Sequence, residues 1–170
     1  MLIKQPEIIS IKENKVTLVK NFVSLGTNYD FNLLSRLMEE NELSISQKSF
    51  NGNLKDVYLI HQTSNYLQEF KIFFDFLSKL FKYERDPRDD IDIFFSLVSQ
   101  VGTCHTDEED VFIIGLKGEV IYRIFDVETK DYNIKKGDMV FIPRGLKHKV
   151  IGLTPRIVAS VGYYGKRING

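Results

Sequence analysis

The chain has a single cysteine, Cys104, in 170 residues. No internal disulfide can form, and a lone thiol agrees with a reducing compartment. Charge of one sign is also lacking. The 23 Lys and Arg residues balance 23 Asp and Glu, so no net field draws the chain to nucleic acid or to an anionic membrane. A nucleic-acid substrate would need a local basic patch. The longest apolar runs are short and broken by charges, which argues against a membrane-spanning helix. The opening Met1-Leu2-Ile3-Lys4-Gln5-Pro6 has neither the apolar core nor the small-residue cleavage site of a signal peptide. A cytoplasmic location is the resulting expectation. Histidine is scarce as well: there are three in the chain, so any imidazole chemistry must come from His61, His105 and His148.

What is present suits one globular domain with a substantial core, since 43% of the residues are hydrophobic. Two runs rich in β-branched residues, 7–11 and 15–20, read as short strands. From Asp30, a good N-cap, Leu33, Leu34, Leu37 and Met38 recur at helical spacing and predict a helix over 31–41. Gly52-Asn53 marks a turn, and 57–61 reads as a strand. After Ser64, a further cap, Leu67, Phe70, Phe73, Phe74, Leu77, Leu80 and Phe81 form a wide apolar stripe, which predicts a second helix to Tyr83. Such a stripe belongs to packing against a sheet rather than to a cofactor box. The polar segment 84–90 is a loop, and 91–99 starts a barrel. The expected class is therefore mainly β with N-terminal helices (α+β), in which 91–165 form the core and 1–90 brace it.

The chemistry gathers between Gly102 and Tyr164. On an extended chain His105 and Asp107, two apart, point the same way and can grip one ion together. His148 comes after enough chain to cross a small barrel and return. Two imidazoles and one carboxylate on one face of a metal leave the opposite positions open, the arrangement of non-haem Fe(II) oxygenases. The alternative is a barrel that keeps these residues for hydrogen bonding. Against it stands the cost of burying a carboxylate between two imidazoles without a cation. Glu108, Glu109 and Asp110 extend the acidic run and read as a charged rim. Cys104 should face away from the site and pack. Lys147 and Lys149, flanking His148, should face the other side. Gly137-Asp138, Pro143 and Gly145 shape turns, and His61 reads as structural.

The pieces His105-x-Asp107, the glycine turn at Gly118, and Gly137-Asp138 followed by Pro143-x-Gly145-x-x-His148 resemble the cupin and Jumonji-type double-stranded β-helix. The second motif fits position for position. The first departs from the metal-cupin pattern, because Asp107 stands where a second His would be and the later Glu position falls near Val111. That leaves His105, Asp107 and His148, as in the Fe(II)- and 2-oxoglutarate-dependent oxygenases. The resemblance covers roughly 60 residues, and it implies a cupin-like jelly roll, an Fe(II) cofactor, 2-oxoglutarate as cosubstrate with O2, and support by ascorbate.

Such an oxygenase must also hold the far carboxylate of its cosubstrate, and a planar Arg suits that task. Jumonji-type relatives place a Lys or Arg on the strand after the glycine turn. Here that position is Val120, with Arg123 nearby. The prolyl-hydroxylase-like group takes its Arg from the strand after the second metal His, and Arg156 matches that pattern. The resemblance therefore points to Arg156, with Tyr122 as a second donor. A metal-dependent cupin enzyme that does not use 2-oxoglutarate and a non-catalytic binding cupin both stay open. So does the substrate, whether protein side chain, amino acid or small metabolite. A homodimer is left open too, since barrels of this type often pair.

Overall fold

The computed structural model describes residues 2–24, 26–40, 45–50, 54–65 and 67–168. Its first element is a helix, α1 (Gln5–Lys12), where the β-branched residues predicted a strand. Two local features override that propensity. Pro6 sits in the first turn, where its missing N–H costs nothing, and Glu7 accepts from the Lys4 backbone N–H at 2.7 Å. The second β-like run does form a strand, β1 (Thr17–Val19). Asp30 caps α2 (Phe31–Glu40) as expected, accepting from the Leu33 N–H at 2.9 Å.

Next come β2 (Ile45–Phe50), β3 (Leu54–Ile60) and α3 (Gln68–Phe81). The Gly52-Asn53 turn lies outside the described residues. Ser64 does not cap α3. It sits in a short 3₁₀ turn, and its hydroxyl donates to Asp90 Oδ1 at 2.7 Å. The phenylalanine stripe is core, with Phe70, Phe73, Leu77 and Phe81 buried.

The remaining chain forms β4 (Asp90–Ser96), β5 (Gln100–Val101), β6 (Asp110–Lys117), β7 (Val120–Phe125), β8 (Thr129–Ile134), β9 (Met139–Ile142), β10 (His148–Gly152) and β11 (Arg156–Tyr163). The predicted strand 91–99 thus stops at Ser96, whose hydroxyl exchanges hydrogen bonds with the Val98 backbone. Seven strands make one sheet in the order β1-β9-β6-β11-β4-β3-β2, and four make the other, β5-β10-β7-β8. The N-terminal strands therefore extend the large sheet at both edges.

The large sheet is buried on both faces. Phe112, Ile114, Phe141, Ile157, Ala159, Val161 and Tyr163 pack with the helices, while Val111, Ile113, Val140, Ile142 and Val158 pack toward the small sheet. Hence β6 reads as an unbroken apolar run rather than an alternating one. From the small sheet, Val120, Tyr122 and Ile124 join that inter-sheet layer. Two facing antiparallel sheets closing on an inner layer make this a double-stranded β-helix. No helix among the described residues is long and apolar enough to cross a membrane.

Phe112 is the centre of the helix-side core, in ring contact with Phe81, Tyr83, Phe141 and Tyr163. Phe112→Ala should lower the unfolding free energy by about 3–5 kcal/mol in urea melts. Val127→Ala, at a side chain 97% exposed, should change it by less than about 0.5 kcal/mol.

Candidate metal centre

His105 and His148 are directly opposed residues of an antiparallel bridge. Each backbone N–H donates to the other's carbonyl at 2.9 Å. Opposed residues send their side chains the same way, so the two imidazole rings lie 4.5 Å apart, centroid to centroid. Asp107 follows outside any strand, yet its i+2 spacing still turns it to the same side. Its carbonyl is held by the Gly145 N–H at 2.8 Å, and Gly145 has φ +74, a backbone form that glycine adopts without strain. The Pro143–Gly145 turn thus fastens the segment bearing Asp107 to the start of the strand bearing His148.

The three sequence-predicted ligands converge. Nε2 of His105 lies 3.6 Å from Asp107 Oδ1, and Nε2 of His148 lies 3.4 Å from Asp107 Oδ2. The three donor atoms all fall within 4.8 Å of one another. Neighbouring donors around an ion at ~2.1 Å are separated by roughly 3.0 Å, so a small inward shift completes a coordination face. In each ring Nδ1 lies 3.0 Å from the backbone carbonyl two residues earlier, Thr103 for His105 and Leu146 for His148. A carbonyl only accepts, so Nδ1 carries the proton and Nε2 presents its lone pair to the centre. Burial holds His148 below the usual imidazole pKa, with His105 pressing the same way and Asp107 against it. Among the described residues, no Lys or Arg pairs with Asp107. A carboxylate between two lone-pair donors lacks a cation, and the donor set fits a divalent metal.

The triad opens into a cavity of about 790 Å³ between the sheets, lined also by Tyr122, Val158 and Arg156. Arg156 is 6% exposed, and Nη1 donates to the Val98 carbonyl at 3.0 Å. Burial presses its pKa down and Tyr122 raises it. Tyr122 is itself buried, which pushes its phenol well up. Arg156 opposes that shift and Asp107 reinforces it, so the hydroxyl stays a neutral donor. Arg123 is not in the cavity. It faces outward on β7 in a two-bond pair with Asp131, each bond 2.7 Å. Val120 is buried and apolar on the cavity wall.

Two expectations are corrected. Asp110 is not rim: it is 3% exposed and accepts from Tyr83 Oη at 2.8 Å and the Arg144 N–H at 2.9 Å. Arg167 lies 3.2 Å away, so this carboxylate is buried because donors and cations surround it. Cys104 is not among the residues that line the cavity, and it is exposed rather than packed, because the chain there lies outside the named strands. Other cavity residues carry no motif. His61 sits at the rim with Nδ1 3.2 Å from Asp92, and Glu109, Asp90 and Tyr164 complete the outer wall. Burial raises the carboxyl pKa of both Asp92 and Glu109. The signal for that wall was in β4, where Asp90, Asp92 and Ser96 alternate with buried Ile91, Ile93 and Phe95.

Fold and site together define a cupin-type double-stranded β-helix with a two-histidine, one-carboxylate centre. Among solved structures, the ribosomal oxygenase YcfD of Escherichia coli with cobalt and succinic acid matches at TM-score 0.73 and 19% identity, over 99% of this chain and 53% of that one. Its complex with cobalt and 2-oxoglutarate matches at TM-score 0.73 and 20% identity over the same shares. A third YcfD structure gives TM-score 0.74 and 20% identity, over 99% and 52%. The chain thus spans about half the length of these structures, and at such identity the likeness is one of fold. No protein-family model and no curated protein matches the sequence.

Asp107→Ala should weaken binding of Co(II) or Mn(II), followed by calorimetric titration, by at least about 100-fold. Lys149→Ala, beside a ligand but on the outer face, should leave it unchanged.

Proposed function

We propose that this chain is an oxygenase dependent on Fe(II) and 2-oxoglutarate, hydroxylating a C–H bond of its substrate. The observation that carries the reading is Arg156, a buried cation that opens into the ligands' cavity with no carboxylate paired to it among the described residues. A buried charge is costly without a counter-ion, so what the cavity lacks is an anion, and a guanidinium fork binds a carboxylate through two hydrogen bonds. A small 2-oxo diacid answers both ends of the site, with one carboxylate for Arg156 and its oxo-acid end for the metal. Tyr122 offers that far carboxylate a further neutral donor.

The donor set supports Fe(II), since His105, Asp107 and His148 occupy one side and leave the others free. Bound there, the metal supplies O2 activation, one oxygen atom passing to succinate as 2-oxoglutarate loses CO2 and the other to the substrate C–H bond. The chain's own part is to fix three donors, hold the diacid and keep the inner chamber dry with Ile113, Val120 and Val158. Ascorbate would support turnover by keeping the iron reduced. The likeness to a ribosomal oxygenase supports a protein side chain as substrate, approaching along the outer wall of Asp92, Glu109 and Tyr164. We take residues 1–170 as one catalytic domain acting in the cytoplasm.

Aerobic protein with Fe(II), ascorbate and 2-oxoglutarate should form succinate slowly without any prime substrate. Formation no faster than with Asp107→Ala would refute the reading. Arg156→Ala should raise the KM for 2-oxoglutarate roughly 30-fold, the loss of one to two charged hydrogen bonds, while Co(II) affinity holds.

A further inference from the structure

We infer that Gly152 is a positioning residue for the cosubstrate anchor, its missing side chain leaving the bed in which the Arg156 guanidinium lies. The inference rests on the reading of Arg156 given above. Gly152 closes β10, pairing with Val120 on one side and Gln100 on the other. Its backbone is ordinary strand rather than left-handed, so no turn requires glycine, and glycine inside a strand marks a close approach. What approaches is the guanidinium. A Cβ at position 152 would overlap Nη1 and Cζ of Arg156 and lie 2.6 Å from Nη2. Those three are its nearest heavy atoms, so the guanidinium is the first thing a side chain there would meet.

The geometry follows from the chain path. Only Leu153, Thr154 and Pro155 separate β10 from β11, so Arg156 folds back over the strand that has just ended. The Val98 carbonyl takes Nη1, and Gly152 supplies the floor. Two sides of the fork are then fixed, and its other donors are left for a ligand. On the same face of β10, His148 stands four residues before Gly152. One strand thus sets both the buried metal ligand and the seat of the anchor.

A methyl at position 152 must push the guanidinium aside by more than about 1 Å to restore ordinary contact, and misplacement of that size costs up to about 100-fold. Gly152→Ala should therefore raise the KM for 2-oxoglutarate about ten-fold or more, read from succinate formation, with kcat and Co(II) affinity unchanged. The contact itself is read by melting temperature. The loss caused by Gly152→Ala should vanish in the Arg156→Ala background, where nothing fills the bed. Additive losses, or an unchanged KM in Gly152→Ala, would overturn the inference. If Gly152→Ala does not fold, the double variant decides: recovery on removing the guanidinium supports the bed, and failure to recover overturns it. An unchanged KM in Arg156→Ala would instead withdraw the anchor and this inference together. Failure of the inference alone shows a raised KM in Arg156→Ala and none in Gly152→Ala.

Discussion

Two reciprocal backbone hydrogen bonds, between His105 and His148, set the geometry on which the centre depends. They make two distant residues cross-strand partners, so their rings must share a face. The third donor then needs only a local turn, which the Gly145 N–H to Asp107 carbonyl bond provides. Each imidazole is oriented by a carbonyl of its own chain two residues back, so the lone pairs are aimed by main chain and not by mobile side chains. Such preorganisation leaves the donors only an inward shift to make on taking up an ion.

The meeting of His105, Asp107 and His148 was legible in the sequence because three independent marks coincide there: rare histidines, an i+2 carboxylate, and the glycines and proline that shape the loops. The double burial of the large sheet leaves its mark in the unbroken apolar run of β6, which was not read that way from the sequence. α1 was misread because a capping carboxylate and a first-turn proline outweigh β-branched propensity over eight residues. Asp110 was misread for a different reason. Its cations, Arg144 and Arg167, lie far along the chain, and a run of four acids gives no hint which one turns inward. That Arg156 would reach the cavity was suggested only by family likeness. Gly152 was not legible, since its meaning depends on a side chain folding back from the next strand.

The acidic run of residues 107–110 shows how one stretch divides among environments. Asp107 meets two imidazoles, Glu108 stays in water, Glu109 is half-buried beside Tyr164, and Asp110 is enclosed by cations and a phenol. Asp110 also accepts from the Arg144 N–H, next to the glycine that holds Asp107. The segment entering the large sheet and the turn entering β10 are therefore tied to one buried anion, close to the ligands but separate from them.

The two sheets are unequally clothed. Helices cover the outer face of the large sheet, whereas the small sheet turns Arg123, Asp131 and Lys149 toward solvent. Two of the three candidate donors, His105 and His148, hang on or beside the lighter layer, and Arg156, the proposed anchor, rises from the heavier one. A ligand bridging metal and guanidinium would consequently act as a rivet between the two layers, so that filling the chamber ties the four-stranded wall to the seven-stranded one.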